Sequence, residues 1–143
     1  MPIRRELCKV ERVMRTYVEG LVSFGEIREH VYQVRKSGTH HYPEIIDARR
    51  AELPSWTPRD VLNLAYMVTA QLGTHQLARR AIVVDNEMHF GVARVFSSLV
   101  VGWMRVGVFT DTESATAWLR GTAVVAADDG RRADPAAAVE LQS

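Results

Sequence analysis

The sequence is poor in the features that mark a special environment. Its single cysteine, Cys8, rules out an internal disulfide and fits a reducing compartment. No apolar run approaches the roughly 18–20 residues that cross a bilayer. The opening "MPIRRELCKVER" has no apolar signal-peptide core, so the cytoplasm is the expected location. An excess of one charge is also missing. Lys and Arg number 18 against 17 Asp and Glu, a formal net charge of +1. That removes the electrostatic case for nucleic acid or an anionic membrane as partner.

Catalytic signatures are missing too. There is no GxSxG, GxGxxG or P-loop pattern. The five histidines include the adjacent pair His40 and His41 but no HExxH or H-x3-5-H spacing. Cys8 has no base near it in the chain and reads as a small packing residue rather than a nucleophile. No cofactor, no metal and no enzymatic activity are expected.

What is present is a globular domain. The 143 residues are 47% hydrophobic and 24% charged, within the usual range for one soluble domain. "IRRELCKVERVMRTYVEG" alternates as two strands around a polar turn. "SFGEIREHVYQVRKSG" is helical: Ser23 and Glu26 form a capping box, Phe24, Ile27, Val31 and Val34 make one stripe, and Gly38 ends it. "YPEIIDAR" is a buried strand centred on Ile45 and Ile46. The next helix has Thr57 as N-cap, Pro58 in its first position and Asp60 in its third, with Val61, Leu64, Ala65, Val68 and Leu72 inward and Gly73 closing it.

"RRAIVVDN" lacks alternation, as a strand covered on both faces should. In the helix that follows, Met88, Val92, Val95, Phe96 and Leu99 are expected to face inward. "MRVGVF" is a strand whose Gly107 marks a bulge or a close approach. A last helix opens with a Thr110–Glu113 capping box and buries Ala115, Trp118 and Leu119. The order is ββαβαβαβα: an α/β domain over residues 1–121, its mixed five-stranded sheet built from an N-terminal antiparallel hairpin plus parallel strands and flanked by four helices. The Ala- and Asp-rich remainder, 122–143, reads as a flexible tail.

With "RTYVEGLVSFGEIREHV", "EIIDAR", "RRAIVVDNEMHFGVARVF" and "VGVFTDTESATAWL" in this order and spacing, residues 3–120 resemble the STAS-like (SpoIIAA-like) family. This is the bacterial group related to the sporulation anti-sigma-factor antagonists. The resemblance implies a mixed sheet flanked by helices, similar to Sec14-type lipid-binding domains. It also implies a binding partner rather than a reaction, in bacterial signalling or regulation. In signalling members a kinase phosphorylates a serine at the start of the helix after the central strand. That serine follows an aspartate, whereas here the stretch reads "ELPSWTPRD" and Pro54 precedes Ser55. Ser55 and Thr57 are the candidate phospho-acceptors, with helix capping the preferred role for Thr57.

The candidate docking surface spans residues 53–60 and 86–90, with Ser55, Trp56, Thr57, Asn86, His89 and Phe90 as its members and Trp56 and Phe90 as apolar anchors. The expected partner is another protein or a second copy of the chain. Two further readings stand beside it. One is a carrier of a small apolar ligand or lipid in a pocket between helices and sheet. The other is a metal-assisted enzyme using the strand-end acids Asp47, Asp85 and Asp111, which are more simply read as turn and cap residues. The arginine pairs Arg49–Arg50 and Arg79–Arg80 flank opposite ends of strands and are expected to be solvated, like Arg4 and Arg5.

Overall fold

The computed structural model describes residues 2–53, 56–72 and 79–121. The expected order appears as β1 (Ile3–Cys8), β2 (Val13–Leu21), α1 (Phe24–Ser37), β3 (Glu44–Glu52), α2 (Pro58–Leu72), β4 (Arg80–Val83), α3 (Glu87–Val100), β5 (Val106–Phe109) and α4 (Thr112–Leu119). A short 3-10 turn, Thr39–His41, precedes β3. The five strands lie in one sheet in chain order, β1 antiparallel to β2 and the rest parallel. Gly73 and the segment 122–143 fall outside the described residues.

Chain order in the sheet explains the layering. Each crossover from β2 to β5 steps one strand in the same direction. A right-handed crossover then puts every connecting helix on the same face. The helices α1, α2 and α3 pack side by side there. Their core joins Val31, Ala65, Val68, Leu72, Val100, Met104 and Val106. With no strand after it, α4 folds back over the other face, where Ala115 and Trp118 meet Val13, Ile45, Ala81, Val83 and Phe109.

Local chemistry sets the ends. Ser23 and Glu26 close the expected capping box, and Gly38 takes the left-handed conformation (φ 74°) past α1. At α2, the Thr57 hydroxyl accepts from the Asp60 N–H at 3.2 Å and the Asp60 carboxylate accepts from the Thr57 N–H at 2.8 Å. Asn86 caps α3, accepting from the His89 N–H.

Three expectations are corrected. The cap of α4 is Asp111, which accepts from the Ser114 N–H, rather than Thr110 with Glu113: the carboxylate one residue closer to the helix reaches its third N–H. The inward face of α3 is His89, Ala93, Ser97 and Val100, whereas Met88, Val95 and Leu99 are exposed. Small Ala93 and Ser97 let the helix approach β5, and the Ser97 hydroxyl donates to the Val106 carbonyl at 3.0 Å; burying the larger residues would hold the two apart. Arg80 is buried and Arg5 and Arg79 half-buried rather than solvated, Arg79 lying over the Trp118 ring and donating to the Trp118 carbonyl at 2.6 Å. At Gly107 the register with β4 is unbroken and the approach is close: an added Cβ would lie 2.8 Å from the Phe109 ring.

Candidate functional site

The structure spends several of the sequence-derived candidates on local order. Ser55 lies outside the described residues. Trp56 is half-buried; its indole N–H donates to the Val22 carbonyl at 3.2 Å and its ring lies 6.1 Å from that of Phe24. It therefore ties the start of α2 to the end of β2. The exposed Thr57 caps α2, with its hydroxyl also donating to Asp60 at 3.1 Å. Asn86 is exposed and its side-chain amide reaches Asp85 and the His89 ring, each at 3.3 Å. His89 is buried against the sheet side of α3, and Phe90 is half-buried beneath the Arg94 guanidinium.

At the carboxyl ends of the strands a cleft of about 660 Å³ is bordered by Arg4, Tyr17, Asp47, Arg49, Arg50 and Thr110. Here Asp47 meets a cation supplied by the chain, and Asp85 borders the same cleft. Arg49 forks onto Asp47 through two bonds of 2.9 and 2.8 Å. This bond holds the Asp47 carboxyl below its usual range, against the opposing effect of partial burial. The Arg49 guanidinium is pushed upward by the same bond and charge, with Asp85 and Asp111 adding to the field. Among the described residues no three His, Cys, Asp or Glu side chains are grouped to hold a metal ion.

The inner face of the sheet holds a feature the sequence did not disclose. Parallel pairing sets Glu44, first residue of β3, directly beside Arg80, first residue of β4. Both are buried, and Arg80 Nε lies 3.2 Å from Glu44 Oε1. Glu44 Oε2 accepts from the Thr16 hydroxyl at 2.5 Å and lies 3.6 Å from His30 Nε2. Arg80 also donates to the His40 carbonyl at 3.2 Å. Burial by itself pushes the Glu44 carboxyl up. The bond from His30, the charges of Arg80 and His30, and the bond from Thr16 outweigh it and bring the carboxyl from 4.5 down to about 2. Above this group, between the sheet and α1, α2 and α3, runs an apolar cavity of about 190 Å³. The sequence signal for that inward polar position was that Thr16 shares its strand face with Met14 and Val18.

The outer face of the same helix layer is apolar along one seam. On α2, Tyr66 is 78% and Leu62 52% exposed; on α3, Met88 is 62% and Val95 51% exposed, with Leu99 also exposed. Arg35 of α1 bonds Gln71, which marks the α1 side of α2. At 100° per residue, Leu62 and Tyr66 lie on the opposite flank, toward α3. By the same rotation Met88, Val95 and Leu99 lie on the α2 flank of α3. The two sets border one groove.

A structure similar to this one is the crystal structure, at 2.25 Å resolution, of an uncharacterized protein of the DUF3478 family with a SpoIIAA-like fold, from Shewanella loihica PV-4. The fold is SpoIIAA-like. The TM-score is 0.56 and the identity 18%, over 82% of this chain and 91% of that one. No family model and no curated protein matches the sequence. The mixed five-stranded sheet with its four helices is thus shared with a solved SpoIIAA-like protein, as the order and spacing of the elements implied. No helix among the described residues is long and apolar enough to cross a membrane.

Proposed function

We propose that the chain is a non-enzymatic protein-binding module that docks a partner protein along the α2–α3 seam. One observation carries this reading: five large apolar side chains, Leu62, Tyr66, Met88, Val95 and Leu99, stand exposed on the two flanks of one groove. A contiguous apolar surface of this kind on a small domain is typical of an interaction site, and an aromatic at its centre supplies an anchor. Of the docking region read from the sequence, Trp56, Thr57 and Asn86 stand at the end of the layer where α2 and α3 begin, whereas Phe90 projects from the other flank of α3, away from the groove. A role in bacterial regulation, in the cytoplasm, is the setting this reading implies.

The test uses two charge insertions on the groove, Tyr66→Asp and Met88→Asp, and one control on the far side of the layer, Arg28→Asp. The partner captured by the wild-type chain from its own cells is expected to be lost with either groove variant and kept with the control, while thermal midpoints stay within a few degrees. Sedimentation velocity of the purified chain shows whether the partner is a second copy. Retention of the captured protein by both groove variants would overturn the assignment of this surface. Trp56→Ala is a poor probe, because it also removes the tie to Val22.

A further inference from the structure

We propose that the polar cleft at the carboxyl ends of the parallel strands binds a small carboxylate–ammonium zwitterion, the size of a free amino acid or a dipeptide. The backbone of β3 is shaped to build it. Thr16 and Ile46 line the cavity under the helix layer, so Tyr17 and Asp47, next along their strands, face away from that layer. Strict alternation would return Arg50 to the inner face. Instead the β2–β3 register shifts: Tyr17 stands opposite Asp47, but Glu19 stands opposite Arg50, so β3 carries one extra residue. Ala48 and Ala51 both line the inner cavity, while Asp47, Arg49 and Arg50 all border the outer cleft. The bulge thus turns two successive arginines into one cleft.

The charges around the cleft narrow the ligand class. Arg49 is braced by Asp47, which takes its Nε–H and an Nη2–H and leaves the Nη1 edge for another acceptor. Arg50 is exposed and forms no ion pair among the described residues. Asp85 is exposed as well; it accepts the Asn86 amide at 3.3 Å and has no ion-pair partner among those residues. Arg4, Arg49 and Arg50 are balanced by Glu19, Asp47 and Asp85, so the lining has no net charge. A ligand of one sign meets repulsion as well as attraction there. A zwitterion sets its carboxylate on Arg49 and Arg50 and its ammonium toward Asp85, and each end gains charge-assisted hydrogen bonds. A cleft of about 660 Å³ holds such a molecule together with bridging waters. It opens on the opposite face of the sheet from the helix layer that carries the α2–α3 groove, so the site stands or falls independently of partner binding.

The experiment uses the full chain at neutral pH with four probes: glycylglycine and L-glutamine as zwitterions, succinate as a dianion and 1,4-diaminobutane as a dication. Proton–nitrogen NMR spectra and calorimetry report binding. A zwitterion is expected to shift the amides of Asp47, Arg50, Asp85 and Thr110 saturably, with Kd of about 1 mM or tighter, and the one-signed probes to bind at least about tenfold more weakly. Arg50→Gln is expected to weaken the zwitterion about tenfold, through loss of a charge-assisted contact. Asp85→Asn is expected to weaken it similarly and to raise the affinity for succinate, a reversal of preference that a merely structural role would not produce. Arg28→Gln on α1 is expected to bind as the wild type does. No saturable shift with either zwitterion at about 20 mM would overturn the proposal. Succinate binding to the wild type as tightly as the zwitterions would overturn it too, as would an affinity unchanged by Arg50→Gln. If the variants do not fold, the preference and the shifted amides of the wild type decide.

Discussion

On the α4 side of the sheet, Ala81, Val83 and Ala115 have no exposed surface, and the Phe109 and Trp118 rings meet at 5.5 Å over a strand glycine that leaves no room for a Cβ. On the side of α1, α2 and α3, the same strands carry a buried Glu–Arg pair and stand beneath a cavity of about 190 Å³. One helix laid on a sheet can be packed to native density by choosing a few interdigitating side chains. Three helices laid side by side must satisfy each other as well as the sheet, and here their packing leaves space at the centre. The difference sets a close-packed face of the sheet against one whose packing leaves a cavity.

The largest expected effect breaks the polar side of this comparison. Arg80→Met leaves Glu44 buried without its cation and is expected to cost about 3–5 kcal/mol in urea unfolding. The double change Arg80→Met with Glu44→Leu is expected to recover most of that loss, because no buried charge is left without its partner.

Acid acts on the same pair. The Glu44 carboxyl is at about 2 in the folded chain, below its ordinary 4.5. Its contribution is therefore complete above about pH 4.5 and is lost as pH falls toward 2. It is worth about 3 kcal/mol by linkage. Urea midpoints measured across that window are expected to fall steeply for the wild type and less so for Glu44→Gln. An equal fall in both would assign the acid sensitivity to other carboxylates.

Smaller effects sharpen the contrast in packing. Val83→Ile and Gly107→Ala add atoms where none fit and are expected to destabilise by about 1–3 kcal/mol each. Val68→Ile adds the same methylene to the cavity wall and is expected to stabilise by about 0.5–1 kcal/mol. Calorimetric midpoints moving in the same direction for Val83→Ile and Val68→Ile would mean that the two faces do not differ in packing.

Much of the architecture was legible because it is local. Ser23 with Glu26, Thr57 before Pro58, and Gly38 each act within one turn of chain, and the structure uses them as read. The inward face of α2 followed from spacing alone. The face of α3 did not, because apolar residues occur nearly all round that helix. The decision fell to size: Ala93 and Ser97 permit contact with β5, and Met88 and Val95 do not. Arg80 was misread for a different reason. In "RRAIVV" it looks like a polar flank, and its partner Glu44 is remote along the chain. Of the docking residues, Trp56 was legible as unusual, but its bond to Val22 was not.

By itself the sequence determined the succession of strands and helices, the points where they begin and end, and the sidedness of those helices with one clear apolar stripe. These depend on periods of two and 3.6 residues and on hydrogen bonds spanning three or four positions. The tertiary structure alone decided which strands are neighbours, that Glu44 meets Arg80, that Arg49 stands among the strand-end acids, and that a cavity and an exposed apolar groove lie on either side of one helix layer. Those outcomes depend on distances between residues tens of positions apart, and such distances exist only once the sheet has closed and the helices have settled on it.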